Sequence, residues 1–313
     1  MYRTALKELF KEVTAVYLTL LKVMVPTIIL VKILDLLGGT IWLATLLSPF
    51  MQFVGLPEQM GIIWATAILT NVYTSMIVFV DVTANMQLSV AQVSVMGILI
   101  LLSHSIPMEG AVAKMVGVSW RLTISLKLGG GLLLAALVSY IYRAFDYQQQ
   151  PAVLLWQNVQ LDQSLEQWAI DQLLLLGSIF FIIFALMTLL RILRLIGVEK
   201  LMQLALSPLL KLLNISKDAS NITIIGITLG LSFGAGLLIS EIKSGKISKR
   251  DVLLSISLLS LAHSLIEDTL LILLLGADVT AILWLRIVFA VLVVALMSQY
   301  LGRSSGKAVN SEV

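Results

Sequence analysis

The chain has 313 residues, 59% of them hydrophobic and 12% charged, with a formal net charge of +3 and no cysteine. A soluble domain carries about 25% charged residues, so an ordinary water-soluble globular protein is excluded, and so small a net charge gives no basis for a nucleic-acid partner. Disulfides, thiolate metal sites and cysteine nucleophiles are excluded outright.

The chain opens on "MYRTALKELFKEV", a basic amphipathic stretch with no A-x-A-like cleavage site after a short apolar core, and reads as a retained cytoplasmic end. A first crossing helix is expected over about 13–37, with Lys22 snorkelling to the inner surface. Residues 40–54, "TIWLATLLSPFMQFV", form an amphipathic segment expected to lie flat on the outer interface. Residues 59–80 are expected to be a re-entrant hairpin broken near "TNVYTS", 70–75, because a full crossing would leave the uncharged loop 82–92 inside. A helix over about 90–104 breaks at "SHSIPMEG", 103–110, where Pro107 removes a backbone donor. A helix over about 119–143 crosses back. It contains Gly129, Gly130 and Gly131, read as packing positions.

The long polar segment 145–171 follows, with Trp156 and Trp168 suited to a membrane surface. Beyond it stands "LLLLGSIFFIIFALMTLL", 173–190, long enough and apolar enough to span a bilayer. From there the first half recurs. Ser48-Pro49 returns as Ser207-Pro208, His104-Ser105 as His263-Ser264, Lys32 as Arg191, Gly38 as Gly197, Lys127 as Arg286 and Ser139 as Ser298, all at an offset of 159 and without a gap. The second half therefore maps as a helix over 172–197, an interfacial segment over 199–213, a hairpin over 220–241, a broken helix from 251 and a last helix over about 278–302. The domain organisation is a first repeat, 1–143, an extracytoplasmic linker, 144–171, a second repeat, 172–302, and a cytoplasmic tail, 303–313.

Basic residues orient the halves. Residues 33–113 and 144–190 contain no Lys or Arg, whereas "EIKSGKISKRD", 241–251, carries four basic residues where its counterpart 82–92 has none. Cytoplasmic loops are the basic ones, so corresponding loops are expected on opposite faces. The fold class is thus all-α, multi-pass, with two inverted-topology repeats, six crossings and two re-entrant hairpins. Inverted repeats are the architecture of secondary transporters, with the solute site near the midplane.

The two histidines of the chain, His104 and His263, fall inside apolar stretches, each with acids nearby: Glu109 in the first, Glu267 and Asp268 in the second. Glu109 and Asp268 correspond at the same offset, and Met108 stands where the second half has Glu267. His263 and Glu267, spaced i, i+4, would share one helix face. Ionisable groups at membrane depth mark functional sites by default. This set suits metal binding, with His104, His263 and Glu267 as candidate ligands, proton carriage, or hydrogen bonding to a polar solute. Its structural alternative is capping of a broken helix. The hairpin tips add Thr70, Asn71, Tyr73, Thr74 and Ser75 in the first half, and Thr228 and Ser232 in the second. Gly226, Gly230 and Gly234 at spacing four fit close helix packing equally well. Twelve scattered methionines read as core filling.

The order of elements, the strings "SHSIPMEG" and "AHSLIEDT", and the Ser-Pro pairs before each hairpin resemble the Gate, or nucleoside-recognition, domain family, related to the transport core of concentrative nucleoside transporters. The resemblance covers about residues 13–302. It implies a scaffold plus a mobile part of hairpins and broken helices that carries solute by an elevator-like shift. The tip "TNVYTS" departs from the Gln-Thr-Glu type signature of the nucleoside carriers, and the absence of cysteine departs from the iron permeases. The expected function is a plasma-membrane secondary transporter for a small polar or cationic solute, extending to nucleoside-like ones. The alternatives are a divalent metal-cation permease and a non-transporting partner in envelope or spore-like assembly. No cofactor and no enzymatic activity are expected, since no nucleophile–base pair or cofactor loop is visible; homo-oligomerisation is left open.

Overall fold

The computed structural model describes residues 2–153, 164–229 and 247–309. Apart from one isolated bridge, Ser89 to Pro151, the regular structure of these residues is helical. In chain order the helices are α1 (Tyr2–Leu36), α2 (Gly39–Val54), α3 (Gly61–Leu69), α4 (Val72–Val82), α5 (Val90–Ser103), α6 (Ile106–Met115), α7 (Trp120–Ile124) and α8 (Gly130–Ala144). They continue with α9 (Leu165–Leu195), α10 (Val198–Leu212), α11 (Lys217–Leu229), α12 (Lys249–Ala262), α13 (Glu267–Leu273) and α14 (Arg286–Val309). A π-turn over Ser125–Gly129 joins α7 to α8, and another over Thr280–Leu285 leads into α14.

Among the described residues, six helical segments are long and apolar enough to cross a membrane: Lys7–Leu36, Val90–Met115, Trp120–Ala144, Leu165–Leu193, Lys249–Leu273 and Thr280–Leu301. This is a multi-pass membrane protein. The six fall into two classes. Val90–Met115 is 83% buried and Lys249–Leu273 is 78% buried, whereas the other four are 17–33% buried. Two kinked spans thus lie inside a jacket of four that present Leu, Ile and Phe outward, as a lipid solvent requires.

Several boundaries repeat at one spacing. α5 and α12 begin and end 159 residues apart, α2 and α10 begin at that spacing, and α1 and α9 end at it. Left-handed residues pair likewise: Gly38 with Gly197, Gly55 with Asn214, Ser105 with Ser264, and Gly117 with Gly276. The Tyr17 hydroxyl donates to the carbonyl of Leu176, its counterpart position, at 3.0 Å.

Three local expectations change. α1 begins at Tyr2, not near 13, and runs through Pro26 to Leu36; the amphipathic N-terminal segment continues the helix because it contains no breaker. α9 begins at Leu165, so the last turns of the polar segment are helical. Pro107 does not break the inner span. It sits in the first turn of α6, where a missing donor costs nothing, and the break lies one turn earlier. The second half breaks at the same place with Ile266 where the first has Pro107. The expected break near 70–75 is present between α3 and α4. Of the second hairpin, residues 230–246, including Ser232, Gly230 and Gly234, lie outside the described residues.

Close packing holds the inner spans. A Cβ on Gly97 of α5 would stand 2.5 Å from Ile272 Cγ2 of α13, so a side chain there would force the two halves apart. Gly130 and Gly131 let α8 approach Leu261 and Ser103, the packing role expected of that triplet.

Candidate functional site

α5 ends because His104 adopts an extended conformation (φ −67°, ψ 158°) and Ser105 a left-handed one (φ 54°). α12 ends identically, at His263 (φ −82°, ψ 166°) and Ser264 (φ 47°). A left-handed serine costs about 1–2 kcal/mol, and hydrogen bonds at the kinks offset it. Ser105 N–H donates to Ala67 O at 3.0 Å and its hydroxyl to Thr70 O at 2.6 Å, while Leu265 N–H donates to Ile227 O at 3.1 Å. Each kink is thereby docked on the helix preceding it in its own half, α3 or α11.

The two kinks meet. His104 Nε2 and His263 Nε2 are 3.0 Å apart, with both rings buried. His104 Nδ1 is 3.0 Å from Ile100 O, and His263 Nδ1 is 2.8 Å from Leu259 O. A carbonyl oxygen only accepts, so each Nδ1 carries the proton, and in the neutral tautomer each Nε2 is then a bare acceptor. Two bare acceptors in contact repel. One proton, or one cation, between them turns the contact into an attraction.

Carboxylates flank the pair on either side. Glu109 Oε1 is 3.4 Å from His263 Nε2 and 3.7 Å from His104 Nε2. Asp268 Oδ2 is 3.6 Å from His104 Nε2 and 3.9 Å from His263 Nε2. It is buried and without a hydrogen-bond partner. Two cations at corresponding positions complete the cluster. Lys127, fully buried in the first π-turn, donates to Glu109 Oε2 at 2.7 Å. Arg286, fully buried after the second, donates to Leu261 O at 3.0 Å and His263 O at 2.9 Å. It thus caps the carbonyls freed where α12 ends. Its Nη1 has no partner. π-turns recur at functional sites because the extra residue re-aims a side chain; here they accompany the two basic residues.

The site opens into a cavity of about 700 Å³. Its apolar wall comes from α1, through Ala15, Val16 and Leu20, and its polar wall from Thr70, Asn71, Tyr73 and the His–acid cluster. The two sides together suit a solute with a polar or charged end and an apolar body.

The structure brings His104, Glu109, His263 and Asp268 together. Glu267 is placed differently from the i, i+4 expectation. The chain is not helical from His263 to Ile266, so the two side chains do not share a helix face. Glu267 Oε1 instead accepts from the Tyr73 hydroxyl at 2.8 Å, linking α4 to α13. The grouped ligand atoms that can hold one ion are those of His104, His263 and Asp268. Thr70 and Asn71 line the cavity. Asn71 also caps α4 by accepting from Thr74 N–H at 3.0 Å, and Ser75 donates to Asn71 O at 2.8 Å. Thr74 and Ser75 are therefore buried in the helix start and do not line the cavity. Thr228 lies near the end of α11. Of the further candidates, Gly226 packs on Leu259.

Lys127 and Arg286 are not site candidates by sequence reasoning alone, although the signal is present: a basic residue in an apolar stretch, matched at the offset that matches the histidines.

No family model matches the chain, and no solved structure matches it. Among curated proteins it is similar to the Uncharacterized membrane protein YvoD of Bacillus subtilis (strain 168), with 27% identity over 298 residues covering 94% of each chain. The likeness runs over nearly the whole length of both chains, and the relative's description agrees with a membrane location.

Proposed function

We propose that this chain is a Gate-type secondary transporter for a small polar or cationic solute, built from two inverted-topology repeats with re-entrant hairpins, residing in a bacterial plasma membrane with both termini cytoplasmic. The observation that carries the reading is the meeting of two corresponding helix breaks, at the buried His104–His263 contact of 3.0 Å, beside a cavity of about 700 Å³. Broken helices facing each other across a pseudo-two-fold axis place unpaired backbone groups and ionisable side chains where a solute crosses. The four matched left-handed pairs and the shared helix ends support duplication; the split between a buried inner pair of spans and an outer jacket supports a mobile part moving against a scaffold.

In this reading, solute occupies the cavity between Tyr73, Asn71 and the acids. Glu267, tied to Tyr73, reports on whether the α4 tip and α13 are closed on each other. The test is uptake into proteoliposomes of purified protein, screened against nucleosides, amines, amino acids and divalent ions with imposed pH and voltage gradients. At least one class should accumulate, and Glu267→Gln should reduce its uptake about tenfold or more, the loss of one charge-assisted contact. Correctly folded protein that moves none of these classes and is stabilised by none would overturn transport and leave the non-transporting membrane partner.

A further inference from the structure

We infer that the histidine pair, with Asp268, is a binding site for a first-row divalent transition cation of the zinc or ferrous type.

Three ligand atoms lie together: His104 Nε2, His263 Nε2 and Asp268 Oδ2. Their mutual separations are 3.0, 3.6 and 3.9 Å, and a fourth donor, from Glu109 or water, completes a tetrahedron. A tetrahedral ion at about 2.0–2.2 Å from nitrogen and oxygen ligands requires separations of about 3.3–3.6 Å. The observed set brackets that range, so the ion enters with shifts of a few tenths of an ångström. The outer contacts also match. Each Nδ1–H is held by a carbonyl, the arrangement that fixes the tautomer and aims Nε2 at a metal. Lys127 fixes the far oxygen of Glu109. Asp268 Oδ2, buried and unpartnered, is the independent sign that something belongs there.

The donor set chooses the ion class. Two imidazoles with a carboxylate and no thiolate favour Zn²⁺, Fe²⁺, Co²⁺ or Mn²⁺ over the soft Cu⁺, and over Mg²⁺ or Ca²⁺, which require six or more oxygens. The charged groups facing the pair are Glu109 and Asp268, with Lys127 and Arg286 behind them and Glu267 at the cavity edge. When the ion binds, both Nε2 lone pairs turn to the metal. No electron is transferred.

Binding stands by itself; the ion as cargo rests on the transport reading. The test uses the full chain in nanodiscs titrated with Co²⁺, read by the visible absorption of tetrahedral cobalt. One equivalent should bind. His263→Gln and the isosteric Asp268→Asn should each weaken it about 100-fold or more, while Glu12→Gln, on exposed α1, should not alter it. Should those variants misfold, X-ray absorption of the loaded wild type decides: four nitrogen or oxygen neighbours near 2.0–2.1 Å, two of them imidazole, support the site, and a six-oxygen shell overturns it. No stoichiometric binding, or binding indifferent to both variants, also overturns it. Zinc uptake in the same proteoliposomes separates the two readings. Binding without uptake of any solute sinks transport and keeps the site; uptake of another solute without metal binding does the reverse.

Discussion

The two kinks share a backbone and differ in their charges. His104-Ser105 and His263-Ser264 have the same extended-then-left-handed geometry, the same ring-to-carbonyl contact and a backbone hydrogen bond to an earlier helix, from Ser105 in one and Leu265 in the other. Around Glu109 the charge is closed by Lys127 at 2.7 Å. Around Asp268 it is open: Arg286 directs its paired donors to carbonyls, and Asp268 Oδ2 and Arg286 Nη1 are both left without partners. Pro107 and Met108 in one half stand opposite Ile266 and Glu267 in the other. Backbone shape is the symmetric property of the site and electrostatic satisfaction the asymmetric one. The first half is built to hold still, and the second is where a ligand, a proton or a movement has something to gain.

Breaking the closed side should have the largest effect. Lys127→Met leaves Glu109 buried and unpaired, a loss of about 3–5 kcal/mol, to be read as a lowered unfolding midpoint in detergent. Adding Glu109→Gln should recover most of it; no recovery would mean that Lys127 acts through packing. On the open side Arg286→Met should cost about 2–3 kcal/mol, since two carbonyl bonds to a charged donor are lost. A loss as large as that of Lys127→Met would erase the proposed asymmetry. Tyr73→Phe removes one hydrogen bond to a carboxylate and should cost about 1.5–3 kcal/mol, seen in solute affinity more than in unfolding if α4 and α13 close around ligand. Ser105→Ala should be the mildest, about 1 kcal/mol for the bond to Thr70. Ser105→Gly should come out near neutral in the same melt, because relief of the left-handed strain offsets that bond.

Much of this was legible in the sequence because a recurring spacing is a statement about register. The offset that aligned Lys32 with Arg191 also aligned the histidines, the acids and the buried bases. Spacing arguments failed where the helix itself stopped. Glu267 sits four residues after His263, a meaningful interval only along a continuous helix, and the left-handed Ser264 hands the contact to Asp268. Pro107 looked like the breaker because prolines break helices; its position in the first turn of α6 makes it a starter, and the break at Ser264 needs no proline. Lys127 and Arg286 could be aligned but not paired from sequence, since their partners lie in the preceding span.

That last separation bears on how the protein is made. Each half places its acid near the end of an inner span and its base in the following outer span, with a left-handed glycine, Gly117 or Gly276, at the bend between them. The two spans can leave the translocon as one helical hairpin with Glu109 already neutralised by Lys127, and with Arg286 delivered beside Asp268. Entry into the lipid in pairs spares the nascent chain from exposing a lone charge to hydrocarbon, and makes the hairpin, rather than the single helix, the unit of biogenesis.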